Sequence, residues 1–567
     1  MALGILEPRD SHEVPGTVVL SLQTSIETPT DPLQPVKKHD HSQGHDRGII
    51  LVPQPSEKKD LILSIISLQS AVVGAYGPML GPGFVEISSE LNVSVNDISQ
   101  ATSYLVLACG LGLFISNPLA KYHGKRPVYL AAGIILFAAS IWGAATQSYG
   151  SFLGSRLIGG LGMGPYEVLV QCTIGDMYFV HERATRIAFW NLFLVAGISA
   201  GPIVSAYIIQ YAGYRWTFGV CAIFFFVLTV AFFFFAPETA FIRPGSSLRA
   251  RETETMRPKV QLHSPEDKDT QSRLEAGDIE EIEDRDSSMP NRHGHQPKTS
   301  EDSDLASPQP QVKDTYWSSL RLYNGRFSNA SLLKIMTRPF ILFLYPPIFW
   351  AFLTWGTTIT FTIAFGYVNS PIFTAPPYNM STSQVGLTNI SPLVQSIIAE
   401  IISGPACDRI AVALTRRNNG VYEPEYRLVL MGAGVILGVC GFYGYGATVH
   451  YQTHWAGPVI TYGMVNASLA FVSTCVFGFI VDVFQGQTGL GVGEEAFVAV
   501  NARNFLSFGI LYFINSWLEK DGVLNVFVVL GSLFVFTTAL TVPLWIYGKR
   551  IRAGIHRVAW LKEYMRD

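Results

Sequence analysis

The hydropathy of this 567-residue chain follows a rhythm: six long apolar segments, a polar stretch from Pro237 to Pro339, then six more apolar segments. A helix of about 20 apolar residues crosses the ~30 Å hydrocarbon core of a bilayer, and only helices or closed barrels satisfy their backbone there. The rhythm therefore predicts an all-α integral membrane protein with twelve transmembrane helices. The spans are expected near 62–83, 98–119, 127–147, 152–174, 187–209 and 215–236, then 340–365, 384–405, 428–447, 456–481, 496–518 and 523–547. Composition agrees, with 49% hydrophobic and 15% charged residues, against about 25% charged in an average soluble domain. The net charge of -3 says little, because the charges are segregated into the tails, the central stretch and the short connections.

Short cytoplasmic connections carry an excess of Lys and Arg. With the N-terminus inside, they hold Lys121, Lys125, Arg126, Arg183, Arg186, Arg409, Arg416, Arg417 and Arg427, while the opposite face shows Arg215 and Lys520. Both termini and the central stretch are thus expected in the cytoplasm. Asn92 and Asn379 begin Asn-x-Ser sequons that fall outside, where N-glycosylation is expected. The implied organisation is a disordered N-terminal tail (1–57), a six-helix bundle (58–242), a disordered linker (243–335), a second six-helix bundle (336–548) and a basic tail (549–567). Both long polar stretches are too poor in apolar residues to fold alone. The first 50 residues show no basic start followed by a short apolar run, so the first span is expected to serve as the insertion signal.

The six cysteines, Cys109, Cys172, Cys221, Cys407, Cys440 and Cys475, fall in apolar segments without Cys-x-x-Cys or Cys/His spacing, and read as buried small hydrophobes. Enzyme signatures fail on context. Gly197-Ile198-Ser199-Ala200-Gly201 matches Gly-x-Ser-x-Gly, but that motif needs a strand-to-helix elbow and here it lies inside a span. There is no P-loop and no His-Glu-x-x-His, so the chain reads as neither an ATP-driven pump nor a metalloenzyme.

A basic turn, Lys121-Tyr122-His123-Gly124-Lys125-Arg126, joins spans two and three, and Asp408-Arg409 with Arg416-Arg417 stands at the matching place of the second half. Such internal repetition is what secondary transporters built from related halves show. With it come Arg156-Leu157-Ile158-Gly159-Gly160-Leu161-Gly162 in span four, Gly197-x-x-x-Gly201-Pro202 in span five, Tyr214-Arg215-Trp216-Thr217-Phe218, Pro237-Glu238-Thr239 and Asn501-x-Arg503-Asn504. On these residues the chain resembles the major facilitator superfamily, and within it the fungal twelve-span drug:proton antiporters, over about residues 58 to 550.

The resemblance implies two pseudo-symmetric six-helix bundles with a central site. It also implies a cytoplasmic gate at Lys121, Gly124, Lys125, Arg126, Asp408 and Arg409, and an antiporter motif at Gly197, Gly201 and Pro202. Three departures stand out. Lys121 occupies a position where the family usually has Asp, Ser205-Ala206 follows the antiporter motif in place of Gly-Gly, and the entry to the first helix is shortened.

Charged residues at membrane depth cost roughly 2.5–3.5 kcal/mol each on the insertion scale, which makes them functional candidates. Glu167 and Arg156 lie on span four, about 16 Å apart along the axis at 1.5 Å per residue, too far to pair. Glu167 stands beside Gly164-Pro165, where the proline removes a backbone donor and should kink the helix. Glu167, Arg156, Glu400 and Arg503 are the candidates for proton coupling, Arg156 by its likeness to the family arginine. Gln69, Tyr76, Asn191, Trp350, Trp355, Asn466 and Asn504 are the candidates for substrate contact, with core packing as the competing role of each. Gly197 and Gly201 have the spacing that lets helices approach closely, so packing alone would also account for them.

The function implied is proton-coupled export of a hydrophobic or cationic small molecule by alternating access. The alternatives are proton symport of a polar nutrient such as a polyamine or vitamin, and a non-transporting nutrient sensor. No cofactor, metal or nucleic-acid partner is expected. The partners are the substrate, the proton and the bilayer, with the protein acting as a monomer in the plasma membrane or, alternatively, the vacuolar membrane.

Overall fold

The computed structural model describes residues 4–7, 17–19, 59–178, 180–239, 331–485, 492–556 and 564. The expected linker up to residue 330 and most of the expected N-terminal tail lie outside the described residues.

The first half contains α1 (Lys59–Tyr76), a 3-10 turn (Pro78–Gly83), α2 (Phe84–Leu91), α3 (Val95–His123), α4 (Lys125–Ala144), α5 (Tyr149–Met177), α6 (Val180–Ala212) and α7 (Tyr214–Phe235). The second contains α8 (Leu332–Leu342), α9 (Pro346–Thr374), α10 (Thr382–Leu387), α11 (Ile390–Arg417), a 3-10 turn (Pro424–Leu430), α12 (Met431–His450), α13 (Ala456–Gln485), α14 (Val492–Asn501), α15 (Arg503–Ala539) and α16 (Thr541–His556). Among the described residues nine stretches are long and apolar enough to cross a membrane. One of them, Glu494–Gly554, holds the last two expected spans, which part at Gly522 with φ 76°. The other two expected spans are α5 and α11, less apolar because they carry Arg156 and Glu167, and Glu400, Asp408 and Arg409.

Contacts repeat between the halves. In the first, α3 packs on α5, α4 on α5 and α7, and α1 on α6; in the second, α11 packs on α13, α12 on α13 and α15, and α9 on α15. Each pairing of spans in one half thus has its counterpart six spans later. The halves meet through α3 against α15 and α6 against α11, which are themselves equivalent pairs.

Several expectations are corrected. The first span is not one helix: it breaks at Gly77-Pro78, where proline has no donor for the ladder. The second bundle starts with α8, earlier than expected, and α8 is separate from the span that follows it. Two pieces of the N-terminal region are ordered on the second half. Val18–Val19 pair antiparallel with Val421–Tyr422, and buried Ile5 packs with Ala411 and Tyr426. Two residues of the expected basic tail are buried: Lys549 lies 2.7 Å from Glu423, and Arg552 lies 2.8 Å from Glu425 and 3.0 Å from Glu423. Cys440 is exposed, whereas the other five cysteines are buried.

Candidate functional site

A cavity of about 130 Å³ lies between the halves. Its wall is mainly apolar and aromatic, with Trp190, Trp355, Tyr367, Tyr462 and Phe477, interrupted by the amides of Gln171, Asn191, Asn369, Asn389, Asn466, Asn501 and Asn504. Glu167 and Arg503 are the charged residues on that wall.

A proline inside one helix and a break in another stand beside this pair. Pro165 sits inside α5 two residues before Glu167, and the helix of span eleven is interrupted at Ala502 (φ -57°, ψ -8°), between Asn501 and Arg503. Glu167 Oε2 accepts from Asn504 Nδ2 at 3.0 Å and from Arg503 Nη2 at 3.4 Å. Arg503 also donates to Asn504 Oδ1 at 2.9 Å and lies over the Trp355 ring at 5.8 Å. Asn504 Nδ2 is 3.5 Å from Cys109 Sγ. One carboxylate of the first half is thus held by a guanidinium and an amide of the second.

Glu400 is placed apart from this cluster. It accepts from Asn191 Nδ2 at 2.7 Å, again across the halves, and only Asn191 of the two lines the cavity. Of the substrate-contact candidates, Asn191, Trp355, Asn466 and Asn504 reach the cavity. Gln69, Tyr76 and Trp350 do not. Gln69 donates to Thr229 within the first half, Tyr76 packs against Phe218 and Phe225, and Trp350 donates to Thr541 and packs against Phe479. Arg156 is fully buried and donates to the carbonyls of Tyr76 (3.2 Å) and Gly77 (3.0 Å), stacked over the Tyr76 ring at 5.0 Å. It caps the broken end of α1, where helical carbonyls would otherwise lack partners.

The first basic turn ties the two halves together at one end of the cavity. Lys121 Nζ lies 2.5 Å from Glu495, and Lys125 Nζ lies 3.0 Å from Glu494 and 2.6 Å from Asp176. Glu494 and Glu495 occupy the first turn of α14, where the helix dipole favours negative charge. The backbone N–H groups of Lys125 and Arg126 both donate to Glu238, and Arg126 also donates to Phe233 O. Gly124 has φ 99°, a value that suits glycine in this tight turn. The lysine found in place of the family's acid therefore makes its own inter-half ion pair.

Among the described residues the second basic turn makes no ion pair across the halves. Asp408 pairs with Arg427 at 2.9 Å, Arg427 pairs with Asp482 at 2.5 Å, and Arg409 is exposed. Tyr422 donates to Asp482 there, and burial together with that carboxylate pushes the Tyr422 hydroxyl pKa up.

The opposite end is also tied across the halves. Thr382 donates to Glu86 at 3.0 Å, the Ser383 N–H to Gln210 at 2.7 Å and Ser370 to Pro82 O at 3.0 Å. The cavity therefore lies between two sets of inter-half ties.

Gly197 and Gly201 face α1 so closely that a Cβ on Gly201 would stand 2.6 Å from Ala75 Cβ, while Pro202 lines the cavity. The motif packs α6 on α1 and brings one residue to the site. Asn92 and Asn379 are exposed at the end opposite the basic turns, with φ 51° and 44°.

Sequence reasoning missed Arg338, which stands at the edge of the polar stretch and is fully buried, 3.5 Å from Glu495. Its neighbour Pro339 and the apolar run that follows were the available signal.

The family model of the Major Facilitator Superfamily matches residues 63–510. An uncharacterized MFS-type transporter of Schizosaccharomyces pombe is 24% identical over 559 residues, covering 95% of this chain and 93% of that one. A Saccharomyces cerevisiae protein described as the probable drug/proton antiporter YHK8 is 21% identical over 546 residues, covering 91% of each chain. Among solved structures, the proton:xylose symporter XylE bound to 6-bromo-6-deoxy-D-glucose is similar with a TM-score of 0.55 at 13% identity, over 87% of this chain and 98% of that one. That last likeness is one of fold.

Proposed function

The chain belongs to the major facilitator superfamily, and from that premise we propose that it is a proton-coupled secondary transporter exporting a hydrophobic or cationic small molecule by alternating access. Members of this superfamily are transporters rather than enzymes, and this one is a multi-pass membrane protein.

The observation that carries the reading is the tie of Glu167 to Arg503 and Asn504 in a cavity between the halves. Protonation of Glu167 cancels its attraction to Arg503 and loosens the tie, and loss of the proton restores it. The ion pair thereby links the protonation state to the separation of the halves. The gradient supplies about 1.4 kcal/mol per pH unit and about 2.3 kcal/mol per charge per 100 mV. The apolar and aromatic wall suits a hydrophobic substrate, and the carboxylate suits a cation. Support for the export direction comes from the Gly197-x-x-x-Gly201-Pro202 motif and from a relative described as a probable drug/proton antiporter. We place the protein in the plasma membrane, with Asn92 and Asn379 open to glycosylation outside.

The test is accumulation of labelled cationic and hydrophobic compounds in transporter-deficient yeast expressing wild type or Glu167→Gln, with and without a protonophore. Export predicts lower accumulation that depends on both the gradient and Glu167. Higher accumulation with the same dependences would establish import.

A further inference from the structure

Glu495 is fully buried at the cytoplasmic end, and its carboxylate is shared by two cations of different origin. Lys121, 2.5 Å away, belongs to the first half, and Arg338, 3.5 Å away, belongs to α8 of the same half as Glu495. Among the described residues these are the two cations against it. Arg338 is itself fully buried, and α8 is held on both sides of it. Phe340 stacks on Phe114 of α3 at 4.9 Å, while Thr337 shares a hydrogen bond of 2.5 Å with Tyr564, whose ring lies 5.7 Å from Lys334 Nζ.

Opening of the cytoplasmic side must take Lys121 away from Glu495, because the two lie on different halves. A buried carboxylate left without a cation is strongly disfavoured. Arg338 belongs to the same half as Glu495 and α8 packs on α14, so on opening the Phe340–Phe114 contact with α3 parts and Arg338 stays against Glu495. We propose that Arg338 is a positioning residue of the cytoplasmic gate: it keeps Glu495 compensated after Lys121 departs, so that the gate can open as well as close.

Lys121 and Arg338 touch the same oxygen, yet the proposal gives them opposite effects. Loss of Lys121 weakens the closed gate. Loss of Arg338 leaves Glu495 dependent on Lys121 alone and holds the gate shut. A merely structural arginine, or a second tie across the gate, would not produce that opposition of sign.

The inference rests on the transport reading, but its readout is not flux. Cys109 lines the cavity, so its labelling reports whether the cytoplasmic end is open. The full chain, with Cys172, Cys221, Cys407, Cys440 and Cys475 replaced by alanine, would be labelled with a membrane-impermeant maleimide in inside-out vesicles. Lys121→Gln should label several-fold faster than the parent, Arg338→Gln several-fold slower, and Arg338→Lys at the parent rate.

In a Glu495→Gln background Arg338→Gln should change nothing, because the charge it compensates is gone. That pair also serves if the single Arg338→Gln variant fails to accumulate. Labelling of Arg338→Gln that is faster than or equal to the parent, or a clear Arg338 effect without Glu495, overturns the proposal. A protein that shows these labelling rates but moves no compound would refute the transport reading and leave the gate intact.

Discussion

Arg503 Nη2 lies 3.4 Å from Glu167 Oε2, and the two residues come from different halves of the molecule. The side chains are 6% and 17% exposed, so each charge depends on the other for compensation. A tie of this kind at membrane depth is strong only while both partners are charged.

Glu167→Gln should therefore destabilise the protein as well as uncouple it. Removing one partner of a buried pair leaves the other as an uncompensated charge, and a loss of about 3 kcal/mol is expected. Glu167→Gln/Arg503→Gln should recover much of that loss without restoring proton-dependent transport. Thermal unfolding of the purified variants checks this, and a double variant less stable than the single one would count against it.

Lys121→Asp, which restores the acid usual in the family, should disable this chain because it sets a carboxylate against Glu494 and Glu495. Adding Glu495→Gln should return part of the transport activity, since it removes the opposing carboxylate and leaves the new acid a partner in Arg338. Uptake or efflux assays on the two singles and the double decide it; a double variant no better than either single contradicts the pairing.

The two glycines of the α6 motif should differ sharply from a glycine in open space. Gly201→Leu forces a side chain into Ala75, and overpacking of this kind costs about 1–3 kcal/mol. Gly509→Ala, with nothing within 4 Å of the added Cβ, should be neutral or stabilising by up to about 1 kcal/mol, because glycine is a poor helix former. Melting temperatures of the two variants give the comparison directly.

Arg156 acts on the backbone. Arg156→Met should lower stability by on the order of 3 kcal/mol through loss of two charge-assisted hydrogen bonds. Whatever transport remains should keep the wild-type pH dependence. A shifted pH midpoint at unchanged stability would instead make Arg156 part of the proton path.

The spans were legible because twenty apolar residues in a row have few alternatives, and the candidate site because charge at membrane depth is rare. Glu167 and Arg503 stand out on that ground, Asn504 and Trp355 as an amide and an aromatic suited to substrate contact, and the four meet at one place. Hydropathy carries no information about helix rotation, which is why Gln69, Tyr76 and Trp350 seemed equal candidates although they turn into their own halves. Nor does it reveal partners distant in sequence. In the sequence Lys121 shows only as a departure from the family's Asp, and its acid, Glu495, lies 374 residues away. Arg338 was lost for a third reason: a charged residue at the edge of a polar stretch looks solvated, and only packing against α14 and α3 shows that it is buried.

The most direct measurement is simultaneous recording of substrate and proton movement by the purified protein in proteoliposomes under an imposed pH gradient. The account predicts that substrate moves opposite to the proton, that the two fluxes rise and fall together, and that Glu167→Gln abolishes the proton flux. Substrate flux indifferent to the gradient, or unchanged coupling in Glu167→Gln, would contradict it.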